Sequence, residues 1–481
     1  MNRRMILYIL ARMLGVEAAL LLLPALVSCL YGEESGLAFL ISAGILFVIY
    51  VAFGVKTPKD QTIYGKEGML IVASAWILWS IFGALPFTIS GSIPSFVDAF
   101  FETISGFTTT GSTLLTNVES LPKCMLFWRS FTHWIGGMGV LVFVMVITAL
   151  DKNNSMHLMR AEVPGPDKDK LMPKATTTAR ILYAMYLILT AIEVVFLLLG
   201  GMDLFDSMIH AFGTAGTGGF SNYAASVGHF DSAYIDGVIT IFMILFGINF
   251  SLFYFLLIGE VKAFLNNEEL RVYLGIIVVS TGIITWNIYG QFGSVLKSFR
   301  YAVFQVASII TTTGYATADY NNWPMLSQCI LMMLMVVGAC ASSTGGGIKV
   351  SRLIMICKCI RKEILTIVHP KNVCIIKVNG KKVNEDGIRT LSIYLMCYVM
   401  IFIVSILLVA IDNKDFATTF SGVLTCIGNV GPGISLVGPA GNFSSFSPFS
   451  KLVLSFDMLA GRLELFPMLI LFTVSAWRRK F

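Results

Sequence analysis

Long apolar stretches separated by short polar links dominate this chain. Leu20–Leu30, Leu37–Val55, Met69–Ser90, Met125–Leu150, Ile181–Leu199 and Val238–Ile258 run nearly without charge. Leu274–Ile288, Met325–Ala341, Leu391–Ile411 and Leu452–Ala476 do the same. Several exceed the roughly 20 residues that carry a helix across a bilayer. The pattern predicts an all-α polytopic membrane protein. Two spans lead, over about Met5–Tyr31 and Leu37–Lys56. Four shorter segments of about a dozen residues are too short to cross but long enough for half a crossing.

Those short segments repeat. Each ends in a glycine motif: Thr108-Thr-Thr-Gly111-Ser112, Gly216-Thr-Gly-Gly219-Phe220, Thr311-Thr-Thr-Gly314-Tyr315 and Gly428-Asn-Val-Gly431-Pro432. The glycines lie 108, 95 and 117 residues apart (111 to 219, 219 to 314, 314 to 431). Thirteen residues before them stand Asp98, Asp206, Tyr301 and Thr418; nine before stand Glu102, His210, Gln305 and Gly422. Aligned this way, the repeat is helix, short re-entrant helix, glycine loop, helix. Four copies predict four walls around one axis, a pseudo-fourfold arrangement with one central pore. Non-helical backbone at membrane depth is tolerated only when buried or lining a water-filled cavity.

Composition supports that class. Of 481 residues, 56% are hydrophobic and 13% charged, against about 25% charged in a globular domain. The formal charge of +6 is not a nucleic-acid signal, because of where the charges lie. With the N-terminus inside, Lys56, Lys59, Lys66, Lys152, Arg160, Lys168, Lys170, Lys174, Lys262 and Arg271 fall inside. So does the block from Lys358 to Arg389 and the tail Arg478-Arg-Lys480. Only Lys123, Lys297, Arg300, Lys414 and Lys451 fall outside, as the positive-inside rule expects. The first apolar run is too long for a cleavable signal peptide. Nine cysteines make no CxxC pair and five histidines form no cluster, so metal and disulfide readings are weak. Val373–Val383 contains Asn379-Gly380, a hairpin turn signal.

The glycine loops carry the candidate chemistry. Moving a bare cation into a low-dielectric medium costs tens of kcal/mol unless oxygens replace its water shell. Four loops can supply backbone carbonyls and threonine hydroxyls without fixed negative charge. That favours a monovalent cation, potassium, over divalent ions. The candidate filter residues are Thr109, Thr110, Gly111, Thr217, Gly218, Gly219, Thr312, Thr313, Gly314, Asn429, Val430 and Gly431. The plainer alternative is that the glycines are turns alone.

A second candidate is Ala341-Ser342-Ser343-Thr344-Gly345-Gly346-Gly347-Ile348-Lys349. Three successive glycines break a helix, at about 1 kcal/mol each relative to alanine. The expectation is a movable loop below the filter that acts as a gate; the alternative is a fixed packing break. Arg462, expected inside the last long helix, is by default functional at that depth. It holds the Gly-rich loop or Glu464, or raises an electrostatic barrier. Lys349 is loop-associated, and Arg129 is structural, paired with Glu102.

These motifs resemble the Trk/Ktr/HKT superfamily of potassium transporters, in particular bacterial TrkH/TrkG-type membrane subunits. Besides the glycine loops, the resemblance is carried by Ser343-Thr-Gly-Gly-Gly-Ile-Lys349, Gly461-Arg-Leu-Glu464 and Trp134-Ile-Gly-Gly-Met-Gly139. It covers the whole chain, the two leading spans included. It implies potassium uptake at the bacterial inner membrane by a homodimer with one pore per protomer and both termini cytoplasmic. It also implies a cytoplasmic, TrkA-like nucleotide-binding regulatory partner, with Ala341–Lys349 and Arg462 blocking the path under the filter. No cofactor is implied beyond the transported K+.

The resulting division is 1–60 for two peripheral helices, 61–152, 153–265 and 266–372 for pore repeats 1 to 3, and 373–481 for repeat 4. Only repeat 3 is expected to have a broken second helix. No Walker motif, catalytic dyad or metal site marks an enzyme. The competing readings are a Na+-permeable or Na+/H+-coupled relative, disfavoured by Gly111, and a secondary carrier of a small anion using Arg462 and Lys349. No helix carries arginine at every third position, which disfavours a voltage-gated channel.

Overall fold

The computed structural model describes residues 2–139, 175–371 and 375–477. The basic positions Lys152, Arg160, Lys168, Lys170, Lys174 and Arg478–Lys480 lie outside the described residues, as does the end of the run Met125–Leu150. The described residues form helices joined by loops, with one two-stranded hairpin.

Six described helices are long and apolar enough to cross a membrane: Arg3–Tyr31, Gly36–Phe53, Gly65–Ile89, Arg180–Leu199, Glu268–Phe292 and Glu385–Asp412. Their outward positions are apolar and uncovered: Leu37 is 64% exposed, Val48 67%, Trp286 76% and Leu407 67%. In water such a surface would drive association; against lipid it has no reason to hide. Arg3–Tyr31 and Gly36–Phe53 pack on each other; Arg3–Leu20 also packs on Gly65–Gly83, Leu22–Tyr31 on Lys123–Gly137, and Gly36–Phe53 on Leu85–Ile89.

Four short helices follow the expected register: Phe96–Phe107, Leu204–Gly216, Val295–Ile310 and Phe416–Gly428. Three start on a side-chain cap that satisfies a free first-turn N–H. Ser95 accepts from Asp98, Asp203 from Asp206 at 2.7 Å, and Asp415 from Thr418 at 3.0 Å. The third starts earlier, at Val295, and carries Lys297 and Arg300 within it. Each short helix is preceded by a long one, of which the described ranges are Gly65–Gly83, Ala175–Leu199, Glu268–Phe292 and Glu385–Val409. Aromatic packing fixes the first short helix: Phe107 meets Trp79 at 5.5 Å and Trp128 at 6.0 Å between ring centroids.

The helices that follow the glycine loops differ from expectation. The expected break at the Gly-rich loop is present, with Met325–Val337 ending before it and Val350–Val368 starting after it. But Val238–Ile258 also breaks, into Ala233–Phe246 and Phe250–Leu257, bent by 93°. Leu452–Ala476 breaks into Pro448–Arg462, Phe466–Leu471 and Val474–Trp477. Lys123–Gly137 stops at its paired glycines. Arg462 is thus the last residue of a helix, not an interior one. The cause is local: Asn249 caps the new helix by accepting from Ser251 N–H at 2.9 Å, and Glu464 and Leu465 adopt positive φ of 58° and 67°.

Strands Lys377–Val378 and Lys381–Lys382 pair antiparallel, with Asn379 (φ 49°) and Gly380 (φ 76°) as the turn. Two successive positive-φ residues are what a type I′ turn requires.

Candidate functional site

The four glycine loops meet. A methyl carbon built on Gly111 would stand 2.0 Å from the carbonyl oxygen of Gly218, and one on Gly219 would stand 2.1 Å from that of Thr313. One on Gly314 would stand 2.2 Å from Val430 O, and one on Gly431 would stand 2.6 Å from Thr110 O. The contacts run from the first loop to the second, third and fourth and back to the first. They close a ring, and every link sets a glycine against the carbonyl that precedes the next glycine.

The backbone inside the ring repeats as well. The residue two before each glycine has positive φ: Thr109 55°, Thr217 55°, Thr312 60° and Asn429 54°. The glycines follow at 79°, 75°, 83° and 98°. Left-handed conformations on alternate residues keep successive peptide units from flipping to opposite sides, so carbonyls can gather on one face. For threonine that conformation costs energy and persists only where the surroundings impose it. All twelve candidate filter positions fall in these loops, and Thr109, Thr110, Thr217, Thr312, Thr313, Asn429 and Val430 are buried.

Polar contacts brace each loop from behind. Arg129 and Glu102 form a buried ion pair at 2.8 Å, as the sequence suggested. Glu102 also accepts from Thr113 Oγ1 and Leu114 N–H, both at 2.9 Å. The Arg129 guanidinium lies 4.0 Å from the Phe220 ring centroid, joining the first loop to the second. Tyr315 OH donates to His210 O at 3.1 Å and Phe220 O at 3.3 Å, joining the second to the third. Asn429 Nδ2 donates to Thr110 Oγ1 at 3.0 Å, joining the fourth to the first. Tyr223 OH donates to Asp206 at 2.9 Å; partial burial and that carboxylate push its phenol up to about 12, so it remains a donor.

Gly111, Gly219, Gly314 and Gly431 line one common recess. The Gly-rich loop touches the opposite, chain-entry end of the ring. Gly346 N–H donates to Thr312 Oγ1 at 2.6 Å. A methyl on Gly346 would stand 2.5 Å from Gly428 O, and one on Gly345 would stand 2.9 Å from Thr311 O. The loop therefore presses against the carboxyl ends of the third and fourth short helices, where free carbonyls carry partial negative charge. Only residues without a Cβ fit so close.

Arg462 fastens this loop. It donates to Thr344 O at 2.7 Å, Gly136 O at 2.6 Å and Gly137 O at 2.8 Å. One guanidinium thus bridges the third unit's loop and the break after Lys123–Gly137. Lys349 Nζ donates to Gly345 O, so it is loop-associated. Of the two partners offered for Arg462, the loop is the one it binds through Thr344, while Glu464 forms an ion pair with Arg352. Loop, Arg462 and Glu464 line a second recess with Trp76 and Gly137.

The chain as a whole is similar to known proteins. A family model described as TrkH, cation transport protein, matches residues 38–479. The chain belongs to the TrkH family. It is similar to the Trk system potassium uptake protein TrkH of Escherichia coli strain K12, 37% identical over 95% of this chain and 96% of that protein. It is 34% identical to the Trk system potassium uptake protein TrkG of the same strain, over 95% of this chain and 94% of the relative. The crystal structure of the potassium transporter TrkH from Vibrio parahaemolyticus superposes with a TM-score of 0.89 at 32% identity, covering 99% of this chain and all of that one. As a TrkH-family member the chain is a multi-pass membrane cation transporter, not an enzyme.

Proposed function

We propose that this chain takes up potassium across the bacterial inner membrane through the four-loop ring. The closed circuit of glycine-to-carbonyl contacts carries the reading, because it supplies main-chain oxygens from four sides without fixed charge. Thr109-Thr110-Gly111, Thr217-Gly218-Gly219, Thr312-Thr313-Gly314 and Asn429-Val430-Gly431 form the selectivity filter. Carbonyls and threonine oxygens replace the ion's water shell there, and the common recess is the outer mouth. Residues 1–60 are the peripheral pair; 61–152, 153–265, 266–372 and 373–481 are the pore units.

Ala341–Lys349 is the gate. It stands directly beneath the filter, held by Arg462 and by Thr312. Arg462 and Lys349 spend hydrogen bonds on loop carbonyls, which argues against their use as ligands for a small anion. Two copies of the chain pair as a homodimer with cytoplasmic termini, and a cytoplasmic nucleotide-binding protein of the TrkA kind acts on the gate. This last part rests on the likeness to Trk systems and on the basic residues of the Lys358–Arg389 block.

Purified protein in liposomes tests the reading through uptake of K+, Rb+, Na+ and Li+. The expected result is K+ and Rb+ flux well above Na+ and Li+. Removing Gly345–Gly347 is expected to raise K+ and Rb+ flux while retaining the order. Equal flux of all four ions would overturn the filter assignment; unchanged flux after loop shortening would overturn the gate.

A further inference from the structure

Two adjacent acids join the Gly-rich loop to a distant surface element. Glu269 lies in the first turn of Glu268–Phe292, 5% exposed. Its Oε1 accepts from Ala341 N–H at 2.7 Å and from Ser351 N–H at 3.0 Å. Ala341 opens the Gly-rich loop, and Ser351 lies two residues beyond Lys349, in the first turn of Val350–Val368. One carboxylate oxygen therefore holds both ends of the loop to a helix that is not part of it. The Ser351 N–H is one of the first-turn donors that a helix leaves without an internal partner, and an anion suits that end.

Glu268 reaches the other way. It pairs with Lys358 Nζ at 2.5 Å, and its own N–H donates to Asn379 Oδ1 at 2.7 Å. Its Oε2 accepts from Asn379 N–H at 3.3 Å, and Lys358 Nζ donates to Lys377 O at 2.7 Å. Asn379 is the turn of the exposed hairpin 377–382. Hairpin, Glu268, Glu269 and loop thus form one unbroken series of contacts, with a single peptide bond in the middle.

We propose that Glu269 is the positioning residue that holds both ends of the Gly-rich loop beneath the ring, and that Glu268 couples this hold to the Lys377–Lys382 hairpin. The inference rests on reading the loop as the gate. A hydrogen bond weakens steeply once its geometry is lost. Moving the hairpin drags the helix end and loosens the loop without any change in the filter.

The test uses the full chain in liposomes, with Rb+ uptake and the K+/Na+ ratio as readouts. Glu269→Ala strands two N–H groups in the closed arrangement, and Rb+ flux is expected to rise about threefold or more with the K+/Na+ ratio unchanged. Glu269→Gln keeps an acceptor oxygen and is expected to restore most of the parental flux. Glu268→Ala, at a half-buried position, is expected to speed backbone hydrogen exchange across Ala341–Ser351 as well as in the hairpin. A loop shortened by Gly345–Gly347 runs alongside. If it raises flux while Glu269→Ala does not, the positioning role is wrong and the gate stands. If shortening leaves flux unchanged, the gate reading itself fails. Faster exchange confined to the hairpin in Glu268→Ala would overturn the coupling.

Discussion

Arg462→Met removes the clamp on the Gly-rich loop and keeps most of the side chain's length. The hydrogen bonds to Thr344 O, Gly136 O and Gly137 O are lost. Of these, the Thr344 bond reaches the Gly-rich loop, and the other two anchor Arg462 to the first unit. A hydrogen bond involving a charged group contributes about 1.5–3 kcal/mol. The closed loop therefore loses about that much relative to the open one. Every 1.4 kcal/mol is about a tenfold change in an equilibrium constant, so the open-to-closed ratio rises roughly 10- to 100-fold. On the proposed reading, in which a cation passes beside this loop, loss of a positive charge acts in the same direction. The assay is initial Rb+ uptake into liposomes holding equal amounts of monodisperse protein. The expected outcome is an increase of about tenfold, reduced if the parent is already partly open. Unchanged or lower uptake by a variant that still elutes as a folded particle would refute the clamp.

Two further outcomes follow from the braces. Arg129→Ala leaves Glu102 buried with its cation gone; breaking a buried pair costs about 3–5 kcal/mol, so the melting temperature in detergent falls sharply, and the double variant Arg129→Met, Glu102→Gln recovers part of the loss. Asp415→Ala removes the cap on the fourth short helix, with an expected loss of about 1 kcal/mol in thermal unfolding at neutral pH. Hydrogen bonds from Thr418 hold the Asp415 carboxyl below its ordinary range, the side-chain bond foremost. That contribution is present above the unfolded-state value and is lost as pH falls through the lower folded one. Parent and variant therefore converge below about pH 4; a gap that widens there would contradict the cap.

The sequence was informative where a rule applies to each residue separately. Glycine marks the four loops because their φ values and close contacts leave no room for a Cβ. Asn379-Gly380 marks the hairpin, and an acid and an arginine at membrane depth must find each other, as Glu102 and Arg129 do. It was less informative where apolarity hides geometry. Phe246-Gly-Ile-Asn-Phe250 looks like the middle of a span, since a broken and a straight helix bury the same apolar groups. Only Asn249, a cap residue inside an apolar run, signalled the break. Arg462 was noticed, but its position at a helix end was not, because the turn depends on Glu464 and Leu465 adopting positive φ. Nothing in the sequence around Glu269 sets it apart from an ordinary first-turn acid, because its partners Ala341 and Ser351 lie more than 70 residues away.

The most direct test is the K+/Na+ permeability ratio of the single variants Gly111→Ser, Gly219→Ser, Gly314→Ser and Gly431→Ser in liposomes. Each added Cβ collides with a carbonyl of the next loop, at 2.0, 2.1, 2.2 and 2.6 Å respectively. Each also puts a side chain at positive φ, at a cost of roughly 1–2 kcal/mol. Discrimination is expected to fall in all four, least for Gly431→Ser, where the neighbouring carbonyl has the least distance to move. Four folded variants that discriminate as the parent does would contradict a filter built from this ring.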